Sequence, residues 1–300
     1  MLIVRFLILV LLMTAWLARA DTVVSVFVPD QKAANKEFSE ALQRALARLS
    51  VTVSVREVQA IDGVVAGGLV VAVGSQAFQE AQRKSAGRAV IGALLPRHAY
   101  ERVLQQAAAG VPTSAVFLDQ PEERQLALVS LLPGPPATIG VIRSGNAVIS
   151  WARLRAAAAR YRFKLQEESL SADSDLAAAI QNVSGQTDVI LATPDPAVFS
   201  PQTISGILLS AYRSRVPLVG FSPAYTRAGA LLSLHSSVQQ LAAQTAEMVR
   251  VVAAGGALPA PQVPTHFEVS VNRQVARSLG VELPSEIVLV DHLRALEREK

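Results

Sequence analysis

Val23-Val-Ser-Val-Phe-Val28, then the turn Pro29-Asp30-Gln31, then Ala41, Leu42, Ala45, Leu46 and Leu49 at helical spacing: this opening unit decides the fold. The apolar, β-branched run predicts a strand, the small polar turn ends it, and the apolar stripe predicts a helix over Lys36–Leu49. The unit then repeats. Further strands are predicted at Val51–Val55, Leu69–Val73, Ala89–Leu95 and Ser114–Leu118, with helix starts at Ala77–Ala81 and Tyr100–Ala107 between them. The strand runs are mostly continuous rather than alternating, as expected where helices cover both faces of a parallel sheet.

The pattern pauses at Asp119-Gln120-Pro121 and at Pro133-Gly134-Pro135-Pro136, and a second series follows. Its strands are expected at Ile139–Ile142, Phe163–Glu167, Val189–Ala192, Pro217–Gly220 and Leu231–His235. Its helices are expected at Trp151–Tyr161, Asp175–Asn182, Thr203–Arg213 and Val238–Ala253. After the Gly/Pro-rich stretch Gly255–Pro264 come a strand at His266–Val271, a helix at Arg273–Leu279 and a charged terminal helix, Leu293–Lys300, that reads as a frayed end. The expected fold is therefore α/β, with two doubly wound parallel-sheet lobes.

The first twenty residues set the compartment. Arg5 precedes an apolar run from Phe6 to Leu17, and the segment closes Ala18-Arg19-Ala20, the grammar of a cleavable secretory leader rather than of a membrane span. Cleavage after Ala20 would begin the exported chain at Asp21 and place it in the periplasm. The chain contains no cysteine, which excludes an acylated N-terminal thiol, disulfides, thiolate nucleophiles and thiolate metal sites. A composition 51% hydrophobic and 17% charged supports a substantial core. The formal net charge is only +4, two of the cations lie in the leader, and no basic block or aromatic platform appears, so a nucleic-acid partner is not expected.

Catalytic motifs are absent. There is no Walker A loop, no dinucleotide-binding glycine fingerprint and no zinc-protease pair of histidines. Gly220-Phe221-Ser222-Pro223-Ala224 approaches a nucleophile elbow but lacks its second glycine. His98, His235, His266 and His292 are dispersed without metal-ligand spacing; loop or surface roles are expected, with His235 placed to enter a cleft. No catalytic residue, metal or cofactor is expected.

The polar turns after strands remain. Open α/β sheets bind ligands beyond the carboxyl ends of their strands. The expected ligand-binding residues are Asp30, Ser75 and Gln76 in the first half, and Arg143, Ser144, Asn146, Thr193, Asp195, Ser222 and Tyr225 in the second. Ser75 is expected to cap the helix after it, Arg143 to pair with a carboxylate or phosphate, and Tyr225 to stack on a ligand ring. Ser144, Asn146, Asp195 and Ser222 suit equally an N-cap or turn role.

The stretch from Val216 to Leu234, with Val-Gly-Phe-Ser-Pro-Ala-Tyr-Thr-Arg-Ala-Gly-Ala-Leu-Leu at its centre, resembles the ABC-transporter substrate-binding proteins of the type I periplasmic fold, in the subgroup that includes aromatic amino-acid binders. Gln239–Arg250, the closing segment His266–Gly280, and more faintly Phe117–Asp119 with Gly140–Ile142, share the likeness. The resemblance implies two lobes joined by a hinge of three crossings, near Asp119–Pro121, His235–Ser237 and Pro261–Thr265, with a small-molecule ligand between them. The chain would divide into a leader (1–20), one lobe (21–120 plus 237–262), a second (121–236 plus 263–284) and a C-terminal tail (285–300). The implied partner is a membrane permease, or alternatively a membrane sensor, and the implied state a monomer. Ser222-Pro223 stand where relatives often carry acidic residues, so an ammonium anchor is not implied.

Overall fold

Every residue of Leu69–Val73 is buried, and the reason is visible on both sides of the sheet that contains it. The computed structural model describes residues 22–30, 32–49, 53–65, 67–85, 87–107, 110–134, 136–144, 150–170 and 176–299; the expected leader and Asn146 lie outside them. The first sheet comprises β1 (Thr22–Phe27), β2 (Val53–Val58), β3 (Leu69–Val73), β4 (Val90–Leu95) and β5 (Thr113–Phe117), in the order β2-β1-β3-β4-β5. All of its pairings are parallel.

One face, with Val24, Val26, Val71 and Ile91, packs on helices α1 (Ala33–Ala47) and α9 (Val238–Ala253). The other, with Phe27, Val70, Ala72 and Ala115, packs on α2 (Ser75–Lys84) and α3 (Arg97–Gln106). With no solvent-facing side, β1, β3, β4 and β5 have no reason to alternate, while the edge strand β2 exposes Ser54, Arg56 and Glu57.

The second sheet comprises β6 (Thr138–Ser144), β7 (Lys164–Leu170), β8 (Val189–Leu191), β9 (Leu218–Gly220), β10 (Leu232–His235) and β11 (Glu268–Val271), in the order β11-β10-β9-β8-β6-β7. Only β11 runs antiparallel to its neighbour. One face meets α4 (Glu122–Ser130), α5 (Trp151–Arg160), α10 (Arg273–Leu279) and α11 (Glu286–Arg298). The opposite face meets α6 (Leu176–Ser184) and α7 (Ile204–Arg213). A short helix, α8 (Pro223–Ala228), follows β9, where the sequence suggested only a turn.

The chain passes between the sheets three times. It leaves the first sheet after β5 to begin α4. It leaves the second after β10, and Ser237 opens α9 with a reciprocal cap: its hydroxyl accepts from Gln240 N at 3.3 Å while Gln240 Oε1 accepts from Ser237 N at 3.0 Å. It returns through Gln262, which lies alongside β5, with its carbonyl accepting from Phe117 N at 2.9 Å and its N–H donating to Ala115 O at 2.8 Å.

The C-terminal helix departs from expectation. It starts at Glu286 rather than Leu293, and Leu289 and Leu293, spaced i, i+4, are buried in the second core. Most of its charges lie on the outer side of an amphipathic helix, whereas Glu297 turns in to pair with the buried Arg124.

Candidate functional site

Both departures from the sheets occur at carboxyl ends, after β5 and after β10, so the carboxyl edges of the two sheets lie toward the crossings that join them. Arg153, near the start of α5, lies 3.7 Å from Glu101 of α3 and 3.3 Å from Glu122 at the start of α4. One ion pair thus joins a helix of the second half to a helix of the first.

The structure sorts the expected site residues by what they already hold. Asp30 turns back on its own loop: its carboxylate accepts from Lys32 N at 3.0 Å and pairs with Lys32 Nζ at 2.5 Å. The hydrogen bond from Lys32 holds that carboxyl below the usual carboxylate range. Ser75 does not cap α2. The N-cap is Gly74, whose φ of 89° is a conformation that glycine adopts without strain, and Ser75 is the first helical residue, exposed beside Gln76.

Ser144 and Asp195 come together. The Asp195 carboxylate accepts from Ser144 N at 2.7 Å, from Ser144 Oγ at 3.0 Å and from Ala197 N at 3.1 Å, tying the end of β6 to the turn after β8. Both residues are buried, as is Thr193, whose carbonyl accepts from Asp195 N at 2.7 Å. Asp195 is thus a turn builder.

Arg143 lies with its guanidinium carbon 5.2 Å from the centre of the Trp151 ring. Its Nε is 4.0 Å from Glu167, too far for a hydrogen bond, and that acid is gripped by Arg155 at 2.8 and 3.0 Å. Ser222 occupies the N-cap position of α8 in extended backbone, φ −151° and ψ 157°, and its carbonyl accepts from Tyr225 N at 3.1 Å.

Tyr225 is turned into its own lobe. Its ring centre lies 4.6 Å from that of Phe221 and 6.5 Å from that of Phe199, and its hydroxyl donates to Phe199 O at 3.2 Å. Burial pushes the phenol up to about 12, so it remains a neutral donor.

Near the strand ends several other residues make contacts that the sequence did not signal. After β4, Arg97 stacks on Phe117 at 4.5 Å, and its N–H donates to Asp119 Oδ1 at 2.7 Å. Burial raises the Asp119 carboxyl above its ordinary value. His98, next along, is half-buried with an unpartnered Nδ1; burial first and Arg102 second lower its pKa. His235 is buried rather than surface-lying and bonds Ser270 Oγ through Nε2 at 2.9 Å.

The crossings form a cluster of their own. Gln120, on the first, donates from Nε2 to Ser236 Oγ, on the second, at 2.8 Å; Ser236 in turn donates to the His266 carbonyl, on the third, at 2.6 Å. Arg124 is 5% exposed and donates to Gln120 Oε1 at 2.7 Å, to Pro264 O at 2.8 Å and to Glu297 at 2.6 Å, while lying 4.1 Å over the Phe267 ring. Gln244 of α9 donates to Gln262 and to the Val263 carbonyl and accepts from Thr265 N. Every strand of the hinge is thereby bonded to another part of it.

A family model described as ABC transporter substrate binding protein matches residues 121–292. No curated protein matches the chain. Among solved structures, the fold is similar to the ligand-free, open structure of a substrate binding protein with adhesive properties from Clostridium difficile: TM-score 0.68, 17% identity, 89% of this chain and 97% of that one. A conserved domain protein from Vibrio cholerae is similar at TM-score 0.61, with 18% identity over 91% of this chain and 98% of its own. A Streptococcus pneumonia domain in complex with L-Trp is similar at TM-score 0.59, with 19% identity over 90% and 98%. At these identities the structural likeness concerns the fold.

Proposed function

Because the chain belongs to the ABC transporter substrate-binding protein family, we propose that the gap between its two lobes captures one small molecule, closes over it by hinge rotation, and presents the closed form to a membrane permease. The observation that carries this reading is the set of three crossings, two of which leave the sheets at strand carboxyl ends and all of which are bonded to one another. Ligand then adds contacts from both lobes at once, which is the condition for a ligand to favour the closed state.

The leader grammar of residues 1–20 supports export to the periplasm without an acyl anchor, and a monomer suffices because each chain carries both halves of its gap. Reversible capture rather than turnover is supported by Ser222, which sits in relaxed extended backbone, and by the neutral, internally bonded Tyr225. Among the described residues no histidine bonds Ser222, so a hydrolase would lack a general base there.

Thermal denaturation against amino acids, nucleosides, small carboxylates and phosphorylated metabolites tests the reading. A true ligand at a hundredfold excess over its dissociation constant stabilises by about 2.7 kcal/mol and is recovered unchanged. Failure of all four classes to raise the melting temperature, or conversion of the hit, would overturn it.

A further inference from the structure

Two halves that turn on a hinge make or break the contacts between them, so a side chain anchored in one half and bonded to the other biases the turn. Arg153 is such a side chain. It stands near the start of α5, which is fastened to α4 of its own half at two points: Arg153 lies 3.3 Å from Glu122, and Arg160 donates to Glu123 at 2.7 Å. Leu154, Ala157 and Ala158 of α5 are buried in the second core. Arg153 therefore moves with the second half.

Its other partner is anchored as firmly in the first half. Glu101 is carried by α3, whose Ala99, Tyr100 and Val103 are buried and whose Tyr100 ring lies 5.2 Å from that of Phe78 and 5.5 Å from that of Phe117. The bond from Arg97 N–H to Asp119 ties the start of α3 to the first crossing. Glu101 cannot follow Arg153 without leaving its own core, so a rotation of the halves changes this separation. Among the described residues, Arg153–Glu101 is the ion pair that reaches from one half to the other. The two acids also differ in kind. Glu122 is 13% exposed in the first turn of α4, where the helix dipole favours negative charge; Glu101 is 46% exposed and, at 3.7 Å, lies in ion-pair range but beyond a hydrogen bond. Arg153 thus keeps a counter-charge at Glu122 when it lets go of Glu101.

We propose that Arg153 and Glu101 form a detachable latch between the lobes, an ion pair made in one setting of the hinge and exchanged for Glu122 and water in the other, so that the balance between the two settings follows charge and ionic strength at this point. The proposal rests on the capture reading above and adds to it what biases the hinge before solute arrives. Exposure sets the size of the bias. With both side chains nearly half exposed, such a pair shifts an equilibrium by about twofold, and by about fivefold at most. That is a bias and not a lock, and a solute that contacts both lobes overrides it.

The chain has no cysteine, so two can be introduced and labelled without interference. Gln105→Cys on α3 and Ala156→Cys on α5, both at exposed positions, carry nitroxide spin labels in the full chain, and pulsed electron resonance reads the distribution of separations between them. Glu101→Lys is expected to lower the population at the separation seen with Glu101 in place by about twofold or more. Adding Arg153→Glu to it, which exchanges the two charges, is expected to restore that population. Raising sodium chloride to about 1 M, where charges are screened beyond about 3 Å, is expected to act as Glu101→Lys does, but to have no such effect in Glu101→Gln. Arg160→Gln, which breaks a pair inside one half, is expected to leave the distribution unchanged, and melting temperatures check that every variant folds. An unchanged distribution in folded Glu101→Lys overturns the proposal, as does an exchanged pair that fails to restore it or an equal shift in Arg160→Gln. Any of these beside a solute that scores in the thermal panel leaves capture standing. A latch that behaves as expected beside a wholly silent panel overturns the capture reading alone.

Discussion

Asp195 shows how one side chain can fix the turns at the end of a sheet. Its three accepted hydrogen bonds join two strand ends that are 51 residues apart in sequence. Asp195→Ala would remove the acceptor of the buried Ser144 N–H and hydroxyl, a loss of about 1–3 kcal/mol that chemical denaturation would read. Gly220 is a second such position: an added Cβ would lie 2.5 Å from Tyr225 Cβ and 2.7 Å from Ser233 Oγ, so Gly220→Ala should cost about 1–3 kcal/mol through forced repacking. His235 brings pH dependence. Burial is the largest influence and lowers its pKa below 6.5, opposed by Glu268 and assisted by Arg227. The unfolded chain therefore binds more protons than the folded one just below pH 6.5, so stability rises with pH through that window and falls on acidification. The melting-temperature drop between pH 7 and pH 5 should shrink in His235→Gln; His98, shifted the same way, accounts for a remaining slope. These residue-level roles were only half legible in the sequence. Ser144 and Asp195 stood out as polar residues after strands, but the carboxylate's choice between ligand and neighbour depends on a contact between distant turns.

At the scale of elements, the strands were readable because burial on both faces leaves an unbroken apolar run, as in Leu69–Val73. Helix starts were less so. Gly74 rather than Ser75 caps α2, since a positive φ settles the turn before any hydroxyl is needed. Pro96-Arg97-His98 resembles an ordinary helix opening, and nothing local marks the contacts Arg97 makes with Asp119 and Phe117. The last helix was misjudged for a related reason: the charges of Glu297, Arg298 and Glu299 dominate its end, whereas Leu289 and Leu293 take their importance from the sheet they cover. Leu293→Ala should therefore destabilise by about 2–5 kcal/mol, as a core truncation does and a substitution in a frayed end does not. Thermal melts of Leu289→Ala and Leu293→Ala beside an exposed control, Ile287→Ala, would separate these cases.

For the whole molecule, the division into two α/β halves followed from the repeated strand–helix grammar, but the cluster that joins them did not. Gln120, Arg124, Ser236, Gln244 and Pro264 come from separate stretches and carry no common motif. Arg124 is its centre: buried, bonded to both the first and third crossings, and paired with Glu297. Arg124→Met would strand Glu297 and two carbonyl oxygens, with an expected loss of about 3–5 kcal/mol in equilibrium unfolding. The hydrogen-bonded series from Gln120 through Ser236 to the His266 carbonyl also constrains motion. Three independent tethers would let the halves twist, slide and tilt separately. Tethers that are fastened to one another favour turning in concert, so the proposed opening and shutting would run about a shared axis, with skewed, half-shut shapes paying for the bonds they break.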